Sequence, residues 1–364
     1  ERVAVIVHEI DNSEHISFVV KKKLTSKRID KYLVSRRKLQ VCSRSEIQRL
    51  IKEGSIKVND SAVKSSYEIK LNDVISVKLP AKEKNTILPE DIPLDVLYED
   101  EHLIVINKTP NIVVHPARGN ASGTLVNALV FYCNQLSPVN GPLRPGIVHR
   151  LDKNTSGIIL IIKNEKVHKH IALQFEKREI RKEYLAVVKG EIELDSDRID
   201  LPIGRHLRIR EKMAIRHDVG KKAVTVFEVI ERFCGYTFIR VFPETGRTHQ
   251  IRVHMKAMGH PIVADSAYGG EETCFLKDLL EPISDIDIQN LAKEENLWDN
   301  VASPVIDRQA LHAYKINFFH PVFKKDMGFT AALPEDLDNL ITILRKIKTI
   351  NNTDSCERLK NVSN

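Results

Sequence analysis

Cysteine is scarce in this chain, and its few copies form no pattern. The five copies are Cys42, Cys133, Cys234, Cys274 and Cys356. They are odd in number, scattered and without the spacing of metal ligands, which predicts reduced thiols in a cytoplasmic protein rather than a disulfide framework. The histidines are equally dispersed, and the short pair His168 and His170 has no cysteine or carboxylate cluster beside it. We therefore expect no metal site.

Long hydrophobic runs are also missing. No apolar stretch approaches the length needed to span a bilayer, and the first residues show no secretory pattern. A hydrophobic content of 42% is typical of soluble globular proteins, and 364 residues are enough for two folded domains. There is no internal repeat and no low-complexity tract. The expectation is a monomeric, cytoplasmic protein that does not contact membranes.

Positive charge is concentrated in one part of the chain. Between Lys21 and Lys57 there are thirteen Lys and Arg residues against three acids, a net charge of +10, whereas the whole chain carries +7. The remainder is therefore slightly acidic. Such a local excess indicates a module that binds the phosphates of a nucleic acid. For any single lysine, a place on a solvated basic surface is the alternative.

The basic segment has the pattern of a small unit of helices and strands. Ile29 and Leu33 repeat at helical spacing, and Ser43 with Glu46 forms a capping box at the start of a second helix. Gly54 suits the end of that helix, and short alternating strand patterns follow it.

The phrases at 28–33, 43–51 and 54–59 resemble the RNA-binding module named after ribosomal protein S-four, also called the alpha-L motif. The resemblance implies contacts with the RNA backbone, which position a protein without reading the base sequence. The expected phosphate contacts are Lys27, Arg28, Arg44, Arg49 and Lys52.

The most informative stretch is a polar loop at 146–157 that leads into the apolar run 158–162. The loop offers one carboxylate, Asp152, one strong cation, Arg150, and two small hydroxyls, Thr155 and Ser156. Gly157 relieves the backbone where the loop enters the strand. A carboxylate beside an arginine at this place is costly for packing alone, so the pattern indicates a catalytic carboxylate on a rigid element. The alternative is a surface Arg–Asp pair in a turn.

The same loop closely resembles the active-site motif of RluA-type pseudouridine synthases. That motif reads His-Arg-Leu-Asp, two variable residues and Thr-Ser-Gly, and every fixed position is matched at 149–157. Other phrases of the family occur at 94–108, 115–117, 123–129 and 182–190, and the resemblance covers about 20–335. The phrase at 94–108 predicts two strands around an acidic turn, as in a hairpin, and that at 123–129 predicts a helix after a glycine turn. Asn111 stands where the family usually has glycine, and we expect it to adopt the left-handed backbone conformation.

The resemblance implies an α+β fold. We expect an alpha-L module joined to a catalytic domain with a central mixed, largely antiparallel sheet. The expected order is an N-terminal extension at 1–17, the module at 18–82, a linker at 83–93, the catalytic domain at 94–335, and a C-terminal helix and tail at 336–364. A polar, acidic stretch at 271–307 is expected to be an insertion in the catalytic domain.

The family's reaction breaks the bond between N1 and C1′ of a uridine in RNA, rotates the uracil and rejoins it through carbon 5, without a cofactor. The resemblance assigns the catalytic carboxylate to Asp152, which attacks C1′ or removes the 2′ proton. It assigns the cation that holds this carboxylate to Arg252. Tyr184 resembles the tyrosine that packs against the target base, and Arg150 the arginine that enters the space left by the flipped nucleotide.

The segment around Arg252 has the alternation of a strand. Period two over 250–254 predicts that Gln250, Arg252 and His254 share one face, toward a cleft, while the residues between them face the core. The candidate RNA contacts near this site are His149, Arg150, Thr155, Arg247 and His249.

The leading interpretation is a pseudouridine synthase for large-subunit (23S) ribosomal RNA or its precursor, nearest to the RluD-like and RluC-like branches. The alternatives are a transfer-RNA pseudouridine synthase, a non-catalytic ribosomal-RNA-binding assembly protein, and a hydrolase using Asp152 with His149 or His249. The presence of Asp152, Arg252 and Tyr184 together argues against a pure binder, because a carboxylate in an RNA cleft repels phosphates. No motif spacing supports a hydrolase.

Overall fold

The chain folds into two compact units, Glu1–Asn85 and Thr86–Asn364. A computed structural model describes residues 6–10, 13–21, 28–34, 44–78, 87–116, 119–133, 135–141, 143–209, 211–280 and 302–351. None of the described helices is both long enough and apolar enough to cross a membrane.

In its described residues, the first unit has a five-stranded antiparallel sheet and two short helices. Its strands are β1 (Ile6–Ile10), β2 (Ser13–Val19), β3 (Ile56–Val58), β4 (Ser61–Ala62) and β5 (Val74–Lys78), in the spatial order β1-β2-β5-β3-β4. The helices are α1 (Ile29–Val34) and α2 (Arg44–Lys52). Ile29 and Leu33 of α1 pack with Ile47 and Leu50 of α2 in one core, as their spacing predicts.

Two details of this unit concern the segments at 1–17 and 43–54. The predicted extension at 1–17 contributes β1 and most of β2 to the sheet. Gly54, with φ +75°, ends α2 as predicted, whereas Ser43 and its capping box lie outside the described residues.

The second unit is built on one large mixed sheet. Its strands are β6 (Asp95–Glu99), β7 (Leu103–Lys108), β8 (Ser156–Ile162), β9 (Arg181–Lys189), β10 (Ser196–Asp200), β11 (Ile203–Arg205), β12 (Met213–Ile215), β13 (Val224–Phe233), β14 (Tyr236–Pro243), β15 (Cys274–Phe275), β16 (Pro304–Ile306), β17 (Leu311–His320) and β18 (Lys325–Thr330). The helices are α3 (Leu125–Tyr132), α4 (Glu165–Lys177), α5 (Gln250–Ala257), α6 (Leu276–Leu280) and α7 (Glu335–Asn351).

The order of strands in the large sheet is β10-β13-β14-β9-β17-β8-β7-β6, with β18 paired to β17. Among the strands that the structure describes in this sheet, β8 and β17 run parallel and every other pair is antiparallel. The predicted mixed, largely antiparallel sheet is therefore confirmed. Strands β11 and β12 form a separate hairpin, as do β15 and β16.

Strand β8 is buried along its whole length. Ile158 and Leu160 belong to the core cluster that includes α4, and Ile159 and Ile161 belong to the cluster that includes α3. A strand covered on both faces has no solvent side, which explains why this segment is continuously apolar instead of alternating. The loop at 149–157 therefore ends on a rigid support.

Three local predictions are confirmed. The segment 94–108 is an antiparallel hairpin of β6 and β7. Asn111 has φ +64°, the left-handed conformation expected where the family has glycine. Helix α3 follows Gly123, and the Thr124 side chain caps it through a capping box with Asn127.

The segment 250–254 is part of helix α5, and the predicted strand is wrong. A five-residue segment satisfies both a period of two and a period of 3.6, so its pattern could not separate the two. In the helix, Ile251 and Met255 lie four residues apart and enter the main core, and Val253 packs beside Tyr268. His249, with φ +55°, precedes the first turn.

The ends of the predicted insertion at 271–307 pack into the core. Cys274, Leu276 and Leu279 on one side and Val305 and Ile306 on the other are buried in the same cluster as α7. Residues 281–301 lie outside the described part of the chain.

The second half of the predicted linker belongs to the second unit. The carbonyl oxygen of Leu88 accepts a hydrogen bond from Nδ2 of Asn127 at 2.8 Å. The carboxylate of Glu90 accepts from the backbone N–H of Gly123 at 3.0 and 3.1 Å. These contacts bind residues 87–90 to the start of α3.

Gly157 lies where β8 first pairs with β17, opposite Ala313. Its φ is +111°, and a Cβ there would lie 2.3 Å from the carbonyl oxygen of Ala313. We expect Gly157→Ala to lower the free energy of unfolding by about 2–5 kcal/mol, because backbone strain and overpacking add. Gly259→Ala is the matched control, since Gly259 has φ +86° and open space around its Cβ position. Both variants are measured by urea titration, and the free energy of unfolding of Gly259→Ala should fall by only about 1–2 kcal/mol. Equal losses would contradict the steric reason.

His312, on β17, makes the stability of the second unit depend on pH. It is fully buried, with Nδ1 3.0 Å from Oγ of Ser156 and Nε2 3.4 Å from the carbonyl oxygen of Ala331. Burial lowers its pKa to about 4, whereas the ordinary value of 6.5 applies in the unfolded chain. Between these values the unfolded state binds more protons.

Stability should therefore fall as the pH is lowered from 6.5 toward 4, by up to about 3 kcal/mol from this residue. Urea unfolding at pH 7 and pH 4.5 measures the loss. His312→Gln, which cannot titrate, should show a correspondingly smaller loss. The same pH dependence in both proteins would contradict the assignment.

Candidate functional site

A cleft of about 520 Å³ opens at one end of the large sheet. It is lined by parts of the segments 148–155, 175–184 and 243–252. Of the sequence-predicted site residues it brings together His149, Arg150, Asp152, Thr155, Tyr184, Arg247, His249 and Arg252. In the part of the chain that the structure describes, no three His, Cys, Asp or Glu side chains are grouped so as to hold a metal ion.

At the base of the cleft, one arginine joins two carboxylates. Nη1 of Arg252 donates to Oδ2 of Asp152 at 3.0 Å, while its Nε and Nη2 donate to the two oxygens of Asp265 at 2.7 Å each. The side chain of Asp265 is fully buried, that of Arg252 is 9% exposed, and that of Asp152 is 17% exposed. The guanidinium is thus anchored from below and presents one nitrogen to the accessible carboxylate.

The anchor carboxylate is itself fixed by the backbone. Oδ1 of Asp265 accepts the N–H groups of Ala267 and Tyr268 at 3.1 Å each. Burial alone would lower the pKa of Arg252, but its hydrogen bonds and charge attraction to Asp265, together with Asp152, raise that pKa above the ordinary value. The guanidinium therefore stays charged beside Asp152.

A tyrosine orients the histidine on the other side of Asp152. The hydroxyl of Tyr268 accepts the backbone N–H of Met213 at 2.8 Å and lies 2.8 Å from Nδ1 of His249. Burial lowers the pKa of His249, which keeps the ring neutral. When the phenol donates to Nδ1, the ring proton is on Nε2, which lies 3.8 Å from Oδ1 of Asp152.

Tyr184, on β9, forms the wall of the cleft next to Asp152. Its ring packs against the two core clusters that meet at β9. Burial, and then the charge of Asp152, raise the pKa of its phenol. The side chain is therefore a neutral aromatic surface at physiological pH.

Two buried cations hold the backbone that follows Asp152. Nζ of Lys108 donates to the carbonyl oxygen of Lys153 at 3.0 Å, and Nη1 of Arg308 donates to that of Asn154 at 3.1 Å. Both side chains are almost completely inaccessible. Burial lowers the pKa of Lys108 to about 7, with a smaller effect of Arg308 in the same direction.

The next residue of the loop is held as well. The hydroxyl of Thr155 accepts from Nε2 of Gln309 at 3.2 Å, and Thr155 is only 2% exposed. Its hydroxyl therefore stabilises the loop, whereas the sequence interpretation made Thr155 an RNA contact. Arg308 is bound in turn to both carboxylate oxygens of Asp336, in the first turn of α7, at 2.6 and 2.7 Å.

His149 lies in the wall of the cleft. Its Nε2 accepts the backbone N–H of Leu160 at 2.8 Å, and its ring stacks on Phe175 with centroids 4.8 Å apart. Burial, with a further effect of Lys182, lowers its pKa to about 3. Arg150, by contrast, is exposed at the mouth of the cleft.

Arg247 lies near the mouth as well. Its Nε donates to the carbonyl oxygen of Lys222 at 3.0 Å, and its backbone N–H donates to Oε1 of Gln250 at 3.0 Å. These bonds order the turn before α5.

In the first unit, Arg28 and Arg44 converge on one buried carboxylate. Their Nη2 atoms lie 3.0 and 2.9 Å from Oδ2 of Asp30, which is fully buried, while their own side chains are 42% and 50% exposed. Burial would raise the pKa of Asp30, but hydrogen bonds from both arginines and from Gln48 bring it far below its usual range. The two guanidinium groups are thus held at the surface in fixed positions.

The other predicted cations of this unit are less constrained. Lys52 is exposed, and Arg49 is 57% exposed with Glu53 3.7 Å away. Lys27 lies outside the described residues.

Sequence reasoning missed five residues of the site: Lys108, Lys182, Asp265, Tyr268 and Arg308. Lys108 and Arg308 carry a signal, because a charged residue beside a buried strand needs a partner. Asp265 and Tyr268 stand in a polar turn, where nothing in the sequence marks a carboxylate or a phenol as buried.

Comparisons with known proteins identify the family of this chain. The family model described as RNA pseudouridylate synthase matches residues 102–257, and that of the S4 domain matches 27–75. An uncharacterized RNA pseudouridine synthase of Bacillus subtilis is 42% identical over 321 residues, which are 88% of this chain and 95% of the relative. Ribosomal large subunit pseudouridine synthase D of Zymomonas mobilis is 38% identical over 306 residues, 83% of this chain and 89% of the relative. The protein of that name from Neisseria meningitidis serogroup B is 37% identical over 336 residues, 92% and 83% of the two chains.

Asp265→Asn tests the anchor of Arg252. The amide keeps the shape but loses the charge and one acceptor, so the guanidinium is no longer held toward Asp152. We expect turnover of the isomerisation that the sequence predicts to fall about 100-fold, in line with the cost of breaking a buried pair. The dissociation constant for RNA should not change, because Asp265 is inaccessible.

Asp195→Asn is the control for this substitution. Asp195 pairs with Arg232 at 2.6 Å on the surface, where it is 90% exposed. Turnover should stay at the level of the unmodified protein. If Asp265→Asn also leaves turnover unchanged, the anchoring role is wrong.

Proposed function

Because the chain belongs to the RNA pseudouridine synthase family, we propose that its cleft converts uridine to pseudouridine in large-subunit ribosomal RNA, with Asp152 as the catalytic carboxylate. The observation that carries the proposal is the 3.0 Å hydrogen bond from Arg252 to Asp152 in an open cleft, beside the ring of Tyr184. The three side chains come from segments far apart in the sequence, and the fold brings them to one place.

Asp152 is oriented for a reaction at the sugar. One oxygen, Oδ2, is held by Arg252, and the other, Oδ1, lies on the side of His249 at 3.8 Å. The free oxygen either attacks C1′ or removes the 2′ proton, and both routes use an unprotonated carboxylate. The reaction gains and loses no atom, so the residues of the chain are sufficient for it.

Tyr184 supports the base while it turns. Cleavage of the bond between N1 and C1′ frees the uracil, which must stay in the cleft and present carbon 5 to the same sugar carbon. A neutral aromatic wall holds a flat base by stacking and does not fix its rotation. The raised pKa of Tyr184 keeps this wall uncharged beside Asp152.

The exposed cations bind the surrounding RNA. A base within a duplex reaches a buried carboxylate only after it leaves the stack, and Arg150 at the mouth of the cleft fills the space that it leaves. Arg247 contacts phosphate near the target. In the first unit, Arg28, Arg44 and the exposed face of α2 contact the backbone of a second part of the RNA, as is expected of basic side chains in fixed positions.

The substrate assignment rests on the relatives. Two of those compared above carry the name ribosomal large subunit pseudouridine synthase D and align over more than four-fifths of this chain. The proposal therefore names the large-subunit RNA or its precursor, in the cytoplasm.

Tritium release from ribosomal RNA labelled at carbon 5 of uridine tests the proposal, because the new bond at carbon 5 displaces that hydrogen. The unmodified protein should release tritium, and Asp152→Asn should reduce release at least about 1,000-fold, the scale expected for loss of an essential group. RNA binding should be retained, since the substitution removes a negative charge from an RNA cleft. Asp195→Asn serves again as the control with unchanged release.

Each other outcome contradicts a definite part of the proposal. Tritium release from transfer RNA but not from ribosomal RNA would show that the substrate is transfer RNA. Binding of RNA without release from any RNA would favour a binding protein. Equal tritium release by the unmodified protein and by Asp152→Asn would show that Asp152 is not the catalytic carboxylate.

A further inference from the structure

Lys182 places an unpaired ammonium group in the wall of the cleft. It lies on β9 two residues before Tyr184, so the two side chains are on the same face of the strand, and both line the cleft. Among the residues that the structure describes, Lys182 has no hydrogen-bond acceptor and no ion-pair partner. An ammonium group has three donors, and here they are open to a ligand that enters the cleft.

His149 adds a second donor to the same wall. Because Nε2 of His149 accepts the N–H of Leu160, and the ring is neutral at physiological pH, its proton must be on Nδ1. No acceptor for this N–H is found in the described part of the chain. Lys182 and His149 line the same cleft, and the charge of Lys182 contributes to the lowered pKa of His149.

The surroundings of the two donors are apolar. The ring of Phe175 stacks on His149, and Val148 and Ile180 belong to the adjoining core cluster. Burial lowers the pKa of Lys182 to about 8. The other charged residues on this side of the cleft, Glu176 and Arg178, are exposed at its edge. The wall is thus suited to a flat, uncharged ligand with an oxygen at its edge.

We propose that Lys182 and the Nδ1–H of His149 form a donor pair that binds the carbonyl oxygen O4 of the target uracil and so selects uridine over cytidine. The inference rests on the proposed function, because it requires a flipped base in the cleft. Residues two apart on a strand are separated by about 7 Å, so a base that packs on Tyr184 extends its edge toward Lys182.

The chemistry of the two pyrimidines explains the selection. Both pyrimidines have an acceptor oxygen at position 2, but at position 4 uracil has an oxygen, whereas cytosine has an amino group whose N–H bonds would face the two donors. Donors that have no other partner discriminate strongly against a ligand that lacks the acceptor. Phosphates are the other source of oxygen acceptors in RNA, and they fit the exposed Arg150 and the half-buried Arg247 better than an apolar wall.

Single-atom changes in the RNA test the donor pair without altering the protein. The substrate is a stem-loop around a uridine modified by the unmodified protein, with that residue made as uridine, 2-thiouridine or 4-thiouridine. Sulfur is a weak hydrogen-bond acceptor, so the 4-thiouridine substrate should react at least 10-fold more slowly than the uridine substrate under single-turnover conditions, whereas 2-thiouridine should react at nearly the uridine rate. Nucleoside analysis of the digested RNA gives the rates.

Lys182→Met then shows whether Lys182 donates a hydrogen bond to this oxygen. The variant should react with the uridine substrate 10- to 100-fold more slowly, and the difference between uridine and the affected thiouridine should disappear. The dissociation constant of RNA with cytidine at the target position should exceed that of the uridine RNA for the unmodified protein, and the two should become equal for Lys182→Met. Lys182→Arg should restore part of the rate. Lys166→Met, at an exposed position of α4, is the matched control with unchanged rates.

Three results would overturn the inference. The first is a 4-thiouridine substrate that reacts as fast as the uridine substrate, and the second is a Lys182→Met protein that keeps the full preference for uridine. A methylphosphonate at the target nucleotide that slows the unmodified protein but not Lys182→Met would assign the donors to a phosphate. If Lys182→Met folds poorly, equal rates of the unmodified protein with the three substrates would still overturn the inference. Tritium release and its loss in Asp152→Asn are measured first, so that failure of the proposed function is seen separately.

Discussion

The buried ion pair between Arg252 and Asp265 is the interaction on which the rest of the site depends. Removing a guanidinium and a carboxylate from water is costly, and here the cost is offset by two short hydrogen bonds and by backbone N–H groups that bind Asp265. Because Asp265 occupies one edge of the guanidinium, the remaining nitrogen has a single direction, toward Asp152. A solvent-accessible carboxylate thus acquires a fixed position from a charge that solvent hardly reaches.

The loop that carries Asp152 is held from the opposite side as well. Lys108 and Arg308 bind consecutive backbone carbonyls after Asp152, and β8 continues the loop as a strand covered on both faces. This arrangement suits a carboxylate that must face a polyanion. An RNA strand brings its own negative charge to the cleft, and a loosely held carboxylate would turn away from it, whereas one held by its side chain and by its backbone keeps its place.

How far the sequence predicts this protein depends on whether a feature is local. The buried run of β8, the hairpin of β6 and β7 and the left-handed Asn111 follow from short patterns, and all three are found. The pairing of Asp152 with Arg252 was reached through a motif, although the helix that carries Arg252 was taken for a strand because five residues fit either period. Asp265 could not be found, since only the folded chain shows that it is buried. The same holds for Lys182, whose lack of partners is a property of its surroundings.

The position of β17 in the sheet has a consequence for biosynthesis. Residues 311–320 form a central strand between β8 and β9. The strand after the loop of Asp152, β8, and the strand that carries Tyr184, β9, are therefore joined into one sheet only through β17. On a translating ribosome, Asp152, Tyr184 and Arg252 all leave the exit tunnel before that strand. A nascent chain therefore carries Asp152, Tyr184 and Arg252 before the cleft exists, and the cleft forms only after β17 has been made. The order of synthesis delays formation of the cleft until the sheet is complete.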